Sequence, residues 1–207
     1  MSLTNILLIV ILTIILVLIF AGLLTVIAKK NLRQDFVYSI KNLFKRQNNK
    51  IDQKEFFNNL SSSLLKLSSD KIGAIIAIER EESLSTYINV GYKVECDFSP
   101  EFIISVFYNK SSALHDGGVI VRDKKIVSIS SYFPMTRQLL DVSYGARHRS
   151  AVGLSERVDA VVFIVSETNG RISVAQAGRI RRLSQNPDRL VDEVSSLLGD
   201  TSRSDNE

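Results

Sequence analysis

The first 28 residues contain no charged side chain, and this stretch constrains the fold more than any other part of the chain. Residues 6–28 form an almost wholly apolar run, long enough to cross a hydrocarbon layer of about 30 Å as a helix rising about 1.5 Å per residue. A cleaved signal peptide is the competing interpretation. However, the run is too long, no basic residue precedes it, and no small-x-small cleavage pattern separates it from Lys29. The sequence therefore predicts one transmembrane helix within residues 1–28.

A basic segment follows the apolar run. Residues 29–50 hold seven Lys or Arg against one acid, Asp35, which gives a net charge of +6. Basic residues flanking a membrane span favour the cytosol, so we expect a single-pass protein of the cell membrane whose soluble part is cytoplasmic. The segment is predicted to be a juxtamembrane linker, so that residues 1–50 contact membrane lipid through anionic headgroups. An ordinary solvated linker explains the same charges.

The remainder of the chain has the charge and length of one soluble domain. Residues 51–207 carry a net charge of −2, since the whole chain carries +4. Such a domain is a poor match for nucleic acid, whose backbone requires a clustered positive face. The single cysteine, Cys96, has no partner in the chain, which excludes an intramolecular disulfide framework. Residues 51–198 are predicted to fold as one domain, and the polar end, 199–207, is predicted to be disordered.

Helical and strand patterns alternate through this region and predict one α/β domain. Predicted helices cover residues 54–68, a segment that begins at Ser99 with Pro100 in its first turn, and a segment that begins at Pro187. Predicted strands are an apolar run at 72–79, two strands within 118–133, and a second pair at 158–165 and 171–176.

The scarcity of histidine excludes several kinds of metal site, because only His115 and His148 are present. A metal-dependent phosphohydrolase of the His-Asp type is suggested by His115 beside Asp116, but it needs further histidine ligands. A zinc site built from Cys and His fails for the same reason. The GxxxxGK[ST] and GxGxxG phosphate-binding motifs are also absent from the sequence.

Two short motifs remain as candidates for chemistry, HDGG at residues 115–118 and GARHRS at 145–150. An Asp-Gly pair is a common hairpin signal, and Arg147 with Arg149 could be a solvated charge cluster at a helix start. Arginines among small residues also suit a polyphosphate, since guanidinium groups bind phosphate in bidentate fashion. An acid opposite them, Asp116, would carry the divalent cation that accompanies such a phosphate.

These motifs carry a resemblance to a known family. Residues 71–179 resemble the diadenylate cyclase domain, with a near match to its Asp-Gly-Ala motif at 116–118 and an intact Arg-His-Arg motif at 147–149. The segments IGAIIAIER, YFP, RHRSAVGLSE and IVSETNGRISVAQAG also occur in the family's order and spacing. A single N-terminal span before the domain is similar to the membrane-anchored class of this family. The resemblance implies a single α/β domain with a mixed β-sheet flanked by helices.

The resemblance also implies an activity, the condensation of two ATP molecules to cyclic di-AMP with release of two pyrophosphates. In this family two domains must face each other, so a homodimer is implied, with Mg²⁺ or Mn²⁺ as the cofactor. The implied catalytic residues are Asp116, Arg147, His148 and Arg149. The implied ATP-binding residues are Gly117, Gly118, Tyr132, Arg147, His148, Arg149 and Ser166, and the implied metal ligands are Asp116, His115 and Glu167.

Three positions depart from the family pattern. Gly118 replaces an alanine, a loss of one methyl that is expected to add backbone freedom. Ala146 replaces a threonine, and Thr168 stands where the family usually has a second glutamate. Tyr132 and Ser166 also have ordinary alternatives, as a packing residue of a strand and as the cap of a turn.

Two other functions are compatible with the sequence. One is a catalytically silent, membrane-anchored sensor of ATP or cyclic di-AMP, and the other is a membrane-tethered scaffold. Asp116 and the neighbouring arginines favour the cyclase over the sensor, because a sensor need not keep a metal ligand.

Overall fold

The computed structural model describes residues 12–13, 15–20 and 52–199. Residues 12–13 and 15–20 are helical and exposed. Within the described ranges, no helix is both long enough and apolar enough to cross a membrane. The predicted span at 6–28 lies mostly outside the described residues, and the predicted linker at 29–50 and residues 200–207 of the predicted tail lie wholly outside them.

A mixed β-sheet forms the centre of residues 52–199. Its strands are β1 Ala74–Ile78, β2 Tyr92–Asp97, β3 Gly118–Arg122, β4 Lys125–Ser131, β5 Val161–Val165, β6 Ile172–Gln176 and β7 Arg179–Arg182. Their order across the sheet is β2-β4-β3-β1-β5-β6-β7. The β1–β3 pair is parallel and the other neighbouring pairs are antiparallel, which confirms the mixed sheet.

Helices cover both faces of this sheet. They are α1 at residues 52–69, α2 Ser85–Ile88, α3 Pro100–Tyr108, α4 Ala146–Ser155 and α5 Pro187–Gly199, with a 3₁₀ turn at Ala113–His115. The buried side chains of α1, α3 and α5 share one apolar cluster with one face of the sheet. Those of α2 and α4 share a second cluster with the opposite face. The domain is therefore a three-layer α/β structure.

The two central strands β1 and β5 are buried along their whole length, as their continuous apolar sequences require. Because successive side chains of a strand point to opposite faces, each strand contributes to both cores. Ile76 and Phe163 belong to the cluster with α1, α3 and α5, whereas Ile75 and Ile164 belong to the cluster with α4. This alternation lets each central strand pack against the helices on both faces of the sheet.

Most predicted elements are confirmed, but the helices α2 and α4 and the strands β2 and β7 were not predicted. The Ser99 hydroxyl accepts a hydrogen bond from the Phe102 N–H at 3.2 Å, so the predicted cap of α3 is present. Strand β2 alternates charged residues with apolar ones, and β7 has the sequence RIRR, so neither shows a strong apolar run. Both are edge strands, where charged residues are common.

The tail prediction was wrong at Gly199, which is the last residue of α5.

Strand register brings distant segments to one end of the sheet. Ala74 at the start of β1 pairs with Val165 at the end of β5. Gly118 at the start of β3 pairs with Ser131 at the end of β4. The loops that precede β3, follow β4 and follow β5 therefore lie side by side, and α4 begins among them.

Candidate active site

A cleft of about 290 Å³ opens at this end of the sheet. This volume lies just below the usual range for small-molecule sites, about 300–1,000 Å³. Its walls come from four separate segments, residues 116–118, 131–133, 145–148 and 166–168. A site built from three strand ends and one helix start can hold several polar groups in fixed positions around a single ligand.

The cleft gathers most of the residues singled out from the sequence. Those that line it are Asp116, Gly117, Gly118, Tyr132, Arg147, His148, Ser166 and Glu167, together with the departing positions Ala146 and Thr168. Two predicted residues do not line it. His115 contacts Arg147, which lines the cleft, but does not line the cleft itself. Arg149 does not line it either; its backbone carbonyl accepts a hydrogen bond from the Thr136 N–H at 3.0 Å.

The HDGG motif is not a hairpin turn, because it joins the 3₁₀ turn to the start of β3. Gly117 has φ of +95°, and a Cβ at this position would lie 2.7 Å from the backbone carbon of Ser130. Only glycine combines that conformation with that lack of space. The Ser130 hydroxyl lies 2.9 Å from the carbonyl oxygen of Ala113 and also bonds the carbonyl oxygen of Asp116, which holds the motif against β4.

Asp116 and Tyr132, which lie on neighbouring segments of the cleft wall, are hydrogen-bonded to each other. The Tyr132 hydroxyl donates to Oδ2 of Asp116 at 3.1 Å. This hydrogen bond, with the negative charge of the carboxylate, raises the pKa of Tyr132. The tyrosine side chain is 57% exposed, so it is not the core-packing residue that its position beside a strand allowed.

Arg147 connects two other side chains of the site. Its Nη1 lies 2.9 Å from Oε2 of Glu167, and its Nη2 lies 3.2 Å from Nε2 of His115. A guanidinium has no acceptor, so Nε2 of His115 accepts this hydrogen bond and carries no proton. Burial, with the positive charge of Arg147 close by, lowers the pKa of His115. The histidine is therefore neutral at neutral pH.

Gly73 provides the space for this arginine, and the sequence reasoning missed it. A Cβ at position 73 would lie 2.5 Å from Nη1 of Arg147 and 3.0 Å from Cβ and Oε2 of Glu167. Gly73 directly precedes β1 and is buried. The only signal in the sequence is a glycine at the second position of the predicted strand 72–79. The ion pair between Arg147 and Glu167 thus requires a residue with no side chain.

The start of α4 presents backbone donors to the cleft. Gly145 precedes the helix and supplies no side-chain cap, and the N–H groups of a first helical turn have no acceptor within the helix. Such a helix start favours anions. His148 lies in this turn with 5% exposure, its ring centroid 4.9 Å from that of Tyr144, and burial, aided by Arg147, lowers its pKa.

The loop after β4 is fastened to α4, and two residues that the sequence reasoning missed make this contact possible. A side chain at Gly153 would overlap the carbonyl oxygen of Pro134, so this glycine lets the loop lie directly on the helix. Glu156 accepts hydrogen bonds from the Thr136 hydroxyl and, at 2.8 Å, from the Gln138 amide. These contacts hold the segment that carries Tyr132 beside the helix that carries Arg147.

The glycine at position 118 does not leave free space. A Cβ there would overlap the ring of Phe133 and would lie 3.2 Å from Cγ2 of Ile75. The ring of Phe133 itself packs edge-on against Tyr87, with ring centroids 5.9 Å apart. The volume of the missing methyl is therefore filled by an aromatic side chain, which restrains the motif instead of loosening it.

The predicted cation fits the chemistry of Asp116 better than that of the other two candidates. Magnesium is typically held by one or two carboxylates together with substrate phosphates and water. Asp116 has an exposed carboxylate on the cleft wall, while Glu167 and His115 are both bonded to Arg147. Within residues 52–199, no three His, Cys, Asp or Glu side chains gather into a metal-binding group. The three-residue ligand set stays a prediction.

Comparison with known proteins identifies the relatives of this chain. The family model described as DisA bacterial checkpoint controller nucleotide-binding matches residues 61–180. The diadenylate cyclase of Mycoplasma genitalium is 63% identical over 169 residues, 82% of this chain and 84% of that protein. The diadenylate cyclase of Mycoplasma pneumoniae is 59% identical over 176 residues, 85% of this chain and 87% of that protein. A crystal structure of DacA from Staphylococcus aureus, a double cysteine mutant, matches with a TM-score of 0.66 and 35% identity, covering 70% of this chain and 96% of that chain.

Fold and site together define a nucleotide-binding α/β domain whose ligand cleft lies at one end of a mixed sheet. The chain belongs to the diadenylate cyclase family and is an enzyme, a nucleotidyltransferase.

Gly73→Ala tests whether Arg147 depends on the space at position 73. We expect nucleotide affinity to fall on the order of tenfold, because the new methyl displaces the guanidinium that the family resemblance assigns to phosphate binding. The free energy of unfolding should change by no more than about 2 kcal/mol, because the overlapping atoms belong mainly to flexible side chains. Calorimetric titration with ATP and thermal unfolding measure the two quantities.

Gly145→Ala is the matched control, since this glycine lines the same cleft and an added Cβ would meet nothing within 4 Å. Its nucleotide affinity should match that of the wild type. Equal affinities of the Gly73→Ala variant and the wild type would contradict the assignment.

Proposed function

We propose that this chain condenses two ATP molecules to cyclic di-AMP, with release of two pyrophosphates, at the interface of two facing domains. The observation that carries the proposal is the cleft itself. It gathers the Asp116 carboxylate, the Tyr132 ring, the Arg147 guanidinium and the Ser166 hydroxyl around one ligand-sized space. The names of the two mycoplasma relatives support the same reaction.

The chemistry is a phosphoryl-group transfer between two nucleotides. The 3′-hydroxyl oxygen of one ATP forms a bond to the α-phosphorus of the other, and the bond from that phosphorus to the pyrophosphate breaks. The electron pair leaves with pyrophosphate and the hydroxyl proton is released. Catalysis of such a step depends mainly on positioning and on neutralising charge. Arg147 and the N–H groups at the start of α4 supply positive charge and hydrogen-bond donors for that purpose.

Asp116 is proposed to hold the Mg²⁺ or Mn²⁺, which would neutralise phosphate charge, and to help activate the attacking hydroxyl. Its carboxylate lies on the cleft wall and already accepts a hydrogen bond from Tyr132, so its position is fixed. The exposed ring of Tyr132 offers a flat face for stacking an adenine. Ser166, whose N–H donates to the carbonyl of Arg171 at 3.0 Å, has a fixed backbone from which its hydroxyl can contact a phosphate.

A second copy of the chain is needed because each cleft, at about 290 Å³, has room for about one nucleotide. An exposed apolar surface beside the cleft supports this pairing. Leu139 and Val142 have relative exposures of 102% and 99%, and Met135, at 58%, lines the cleft itself. Solvent-exposed apolar side chains grouped beside a functional site indicate an interface. We propose that these residues contact the facing domain.

Replacing both Leu139 and Val142 with Ser tests the facing arrangement. The double variant should remain folded, because neither side chain is buried. It should dimerise more weakly, by about 2 kcal/mol if both side chains are covered in the dimer. Sedimentation equilibrium of the full-length chain measures the dimer, and product formation should then require a higher protein concentration.

Tyr108→Ser is the control for this double substitution. Tyr108 is 61% exposed but ends α3, which packs on the opposite face of the sheet. It should not change dimerisation. A Leu139/Val142 double variant that dimerises as the wild type does would remove these residues from the interface.

The reaction is tested by mass spectrometry of the products that the purified full-length chain makes from ATP with Mg²⁺ or Mn²⁺. Cyclic di-AMP is expected, and Asp116→Asn should make at least about 100-fold less while it remains folded, because it removes the charge that holds the cation. Absence of product from a wild-type chain that is dimeric and binds ATP would favour the nucleotide sensor instead. Normal activity of Asp116→Asn would remove Asp116 from the metal site.

We also propose that residues 6–28 anchor the enzyme in the membrane as a single span, with the catalytic domain in the cytoplasm. The lack of charge in residues 1–28 and the net charge of +6 in residues 29–50 support this. The full-length chain should float with vesicles that contain anionic lipid, and a chain that begins at residue 51 should not. Flotation of both chains, or of neither, would contradict the anchor.

A further inference from the structure

A small notch beside the main cleft carries two arginines that the mechanism above does not use. His148 and Ser166 line both the cleft and the notch, so the two spaces share a wall. The far side of the notch is formed in part by Asn169, Arg171 and Arg182. Its volume is about 10 Å³, too small to enclose a phosphate, so an anion would be bound at its mouth.

Strand register explains why these arginines lie beside the cleft. Arg171 directly precedes β6, and Arg182 is the last residue of β7, paired with Ser173. Both therefore lie at the end of the sheet where β5 ends and Ser166 begins the turn. The turn is closed by the bonds from the Ser166 N–H to the Arg171 carbonyl and from the Gly170 N–H to the Ser166 carbonyl, 3.0 and 2.8 Å long.

The charges of Arg171 and Arg182 are not neutralised by ion pairs. Among residues 52–199, no carboxylate lies within 4.0 Å of either guanidinium, in contrast to the pair of Arg147 with Glu167 at 2.9 Å. Asp141 is an acid whose pKa is affected by the charges of both arginines. Hydrogen bonds from Ser143 are the main cause of its lowered pKa, and the charges of Arg182 and Arg171 add to the effect. Two like charges that line one notch, with no carboxylate within 4.0 Å of either, favour the binding of an anion with several oxygens.

We propose that Arg171 and Arg182, with Asn169, form a subsite for the outer phosphates of the bound nucleotide and for the pyrophosphate that leaves. Ser166 and His148 form part of the wall shared by cleft and notch, so a phosphate bound to them would direct the phosphates attached to it toward these arginines. When the bond to the α-phosphorus breaks, its electron pair goes to the pyrophosphate, and the two guanidinium groups stabilise that growing charge. This inference rests on the proposed function.

The test measures binding of ligands that cannot react. The ligands are 3′-deoxy-ATP, which lacks the attacking hydroxyl, 3′-deoxy-AMP, which lacks the outer phosphates, and inorganic pyrophosphate. The Arg171→Gln/Arg182→Gln double variant of the full-length chain should bind 3′-deoxy-ATP and pyrophosphate about tenfold more weakly than the wild type. Its affinity for 3′-deoxy-AMP should be unchanged, because that ligand does not reach the subsite.

Arg179→Gln is the matched control. Arg179 lies at the other end of β7 from Arg182 and does not line the notch, so its substitution removes one positive charge from the same strand without touching the subsite. Wild-type affinities are expected for this variant. Equal weakening by Arg179→Gln and by the double variant, or an unchanged affinity of the double variant for 3′-deoxy-ATP, would overturn the subsite. Failure of the proposed function is a separate result, since it appears as absence of cyclic di-AMP from the wild-type chain.

Discussion

The pairing of β1 with its two neighbours is the constraint on which the rest of the site depends. β1 is parallel to β3 and antiparallel to β5, and its five residues are all buried. This arrangement brings the starts of β1 and β3 to the same end of the sheet as the end of β5. The segments around Gly73, Asp116 and Ser166, which are far apart in the sequence, become neighbours through backbone hydrogen bonds alone. The pairing of the buried, apolar central strands thus determines where the polar loops lie relative to one another.

The polar groups of the cleft are bonded to one another. Arg147 is held by Glu167 and His115, and Tyr132 is held by Asp116. Because these contacts already restrict the side chains, less conformational entropy is lost when a nucleotide binds. Under the proposed function, a phosphate would compete with Glu167 for the same guanidinium. The affinity of the site would then be a difference between two sets of charged interactions, and a substitution at Glu167 or His115 would act on ligand binding through Arg147.

The sequence was most informative where a motif coincided with the end of an element. The first-turn proline and cap of α3 and the hairpin within 118–133 are local signals, and the structure contains both. The placement of Asp116 in the cleft followed from the family pattern and not from local propensity, which favoured a hairpin turn. Contacts made across the fold left no local signal. The fastening of the β4–α4 loop by Glu156, the strand at Arg179–Arg182 and the separation of Arg149 from the cleft all depend on residues distant in the chain.

Gly73 shows how a position without a side chain can be constrained by function. Its φ is not in the left-handed region, so backbone freedom does not explain the need for glycine. The need comes from the Arg147 guanidinium, which occupies the volume where a Cβ would be. Amino-acid choice at 73 and at 147 is consequently coupled, and a larger residue at 73 can be accommodated only with a shorter or differently directed side chain at 147. Among sequences sharing this site, the two positions should vary together or not at all, although 73 lies outside both motifs.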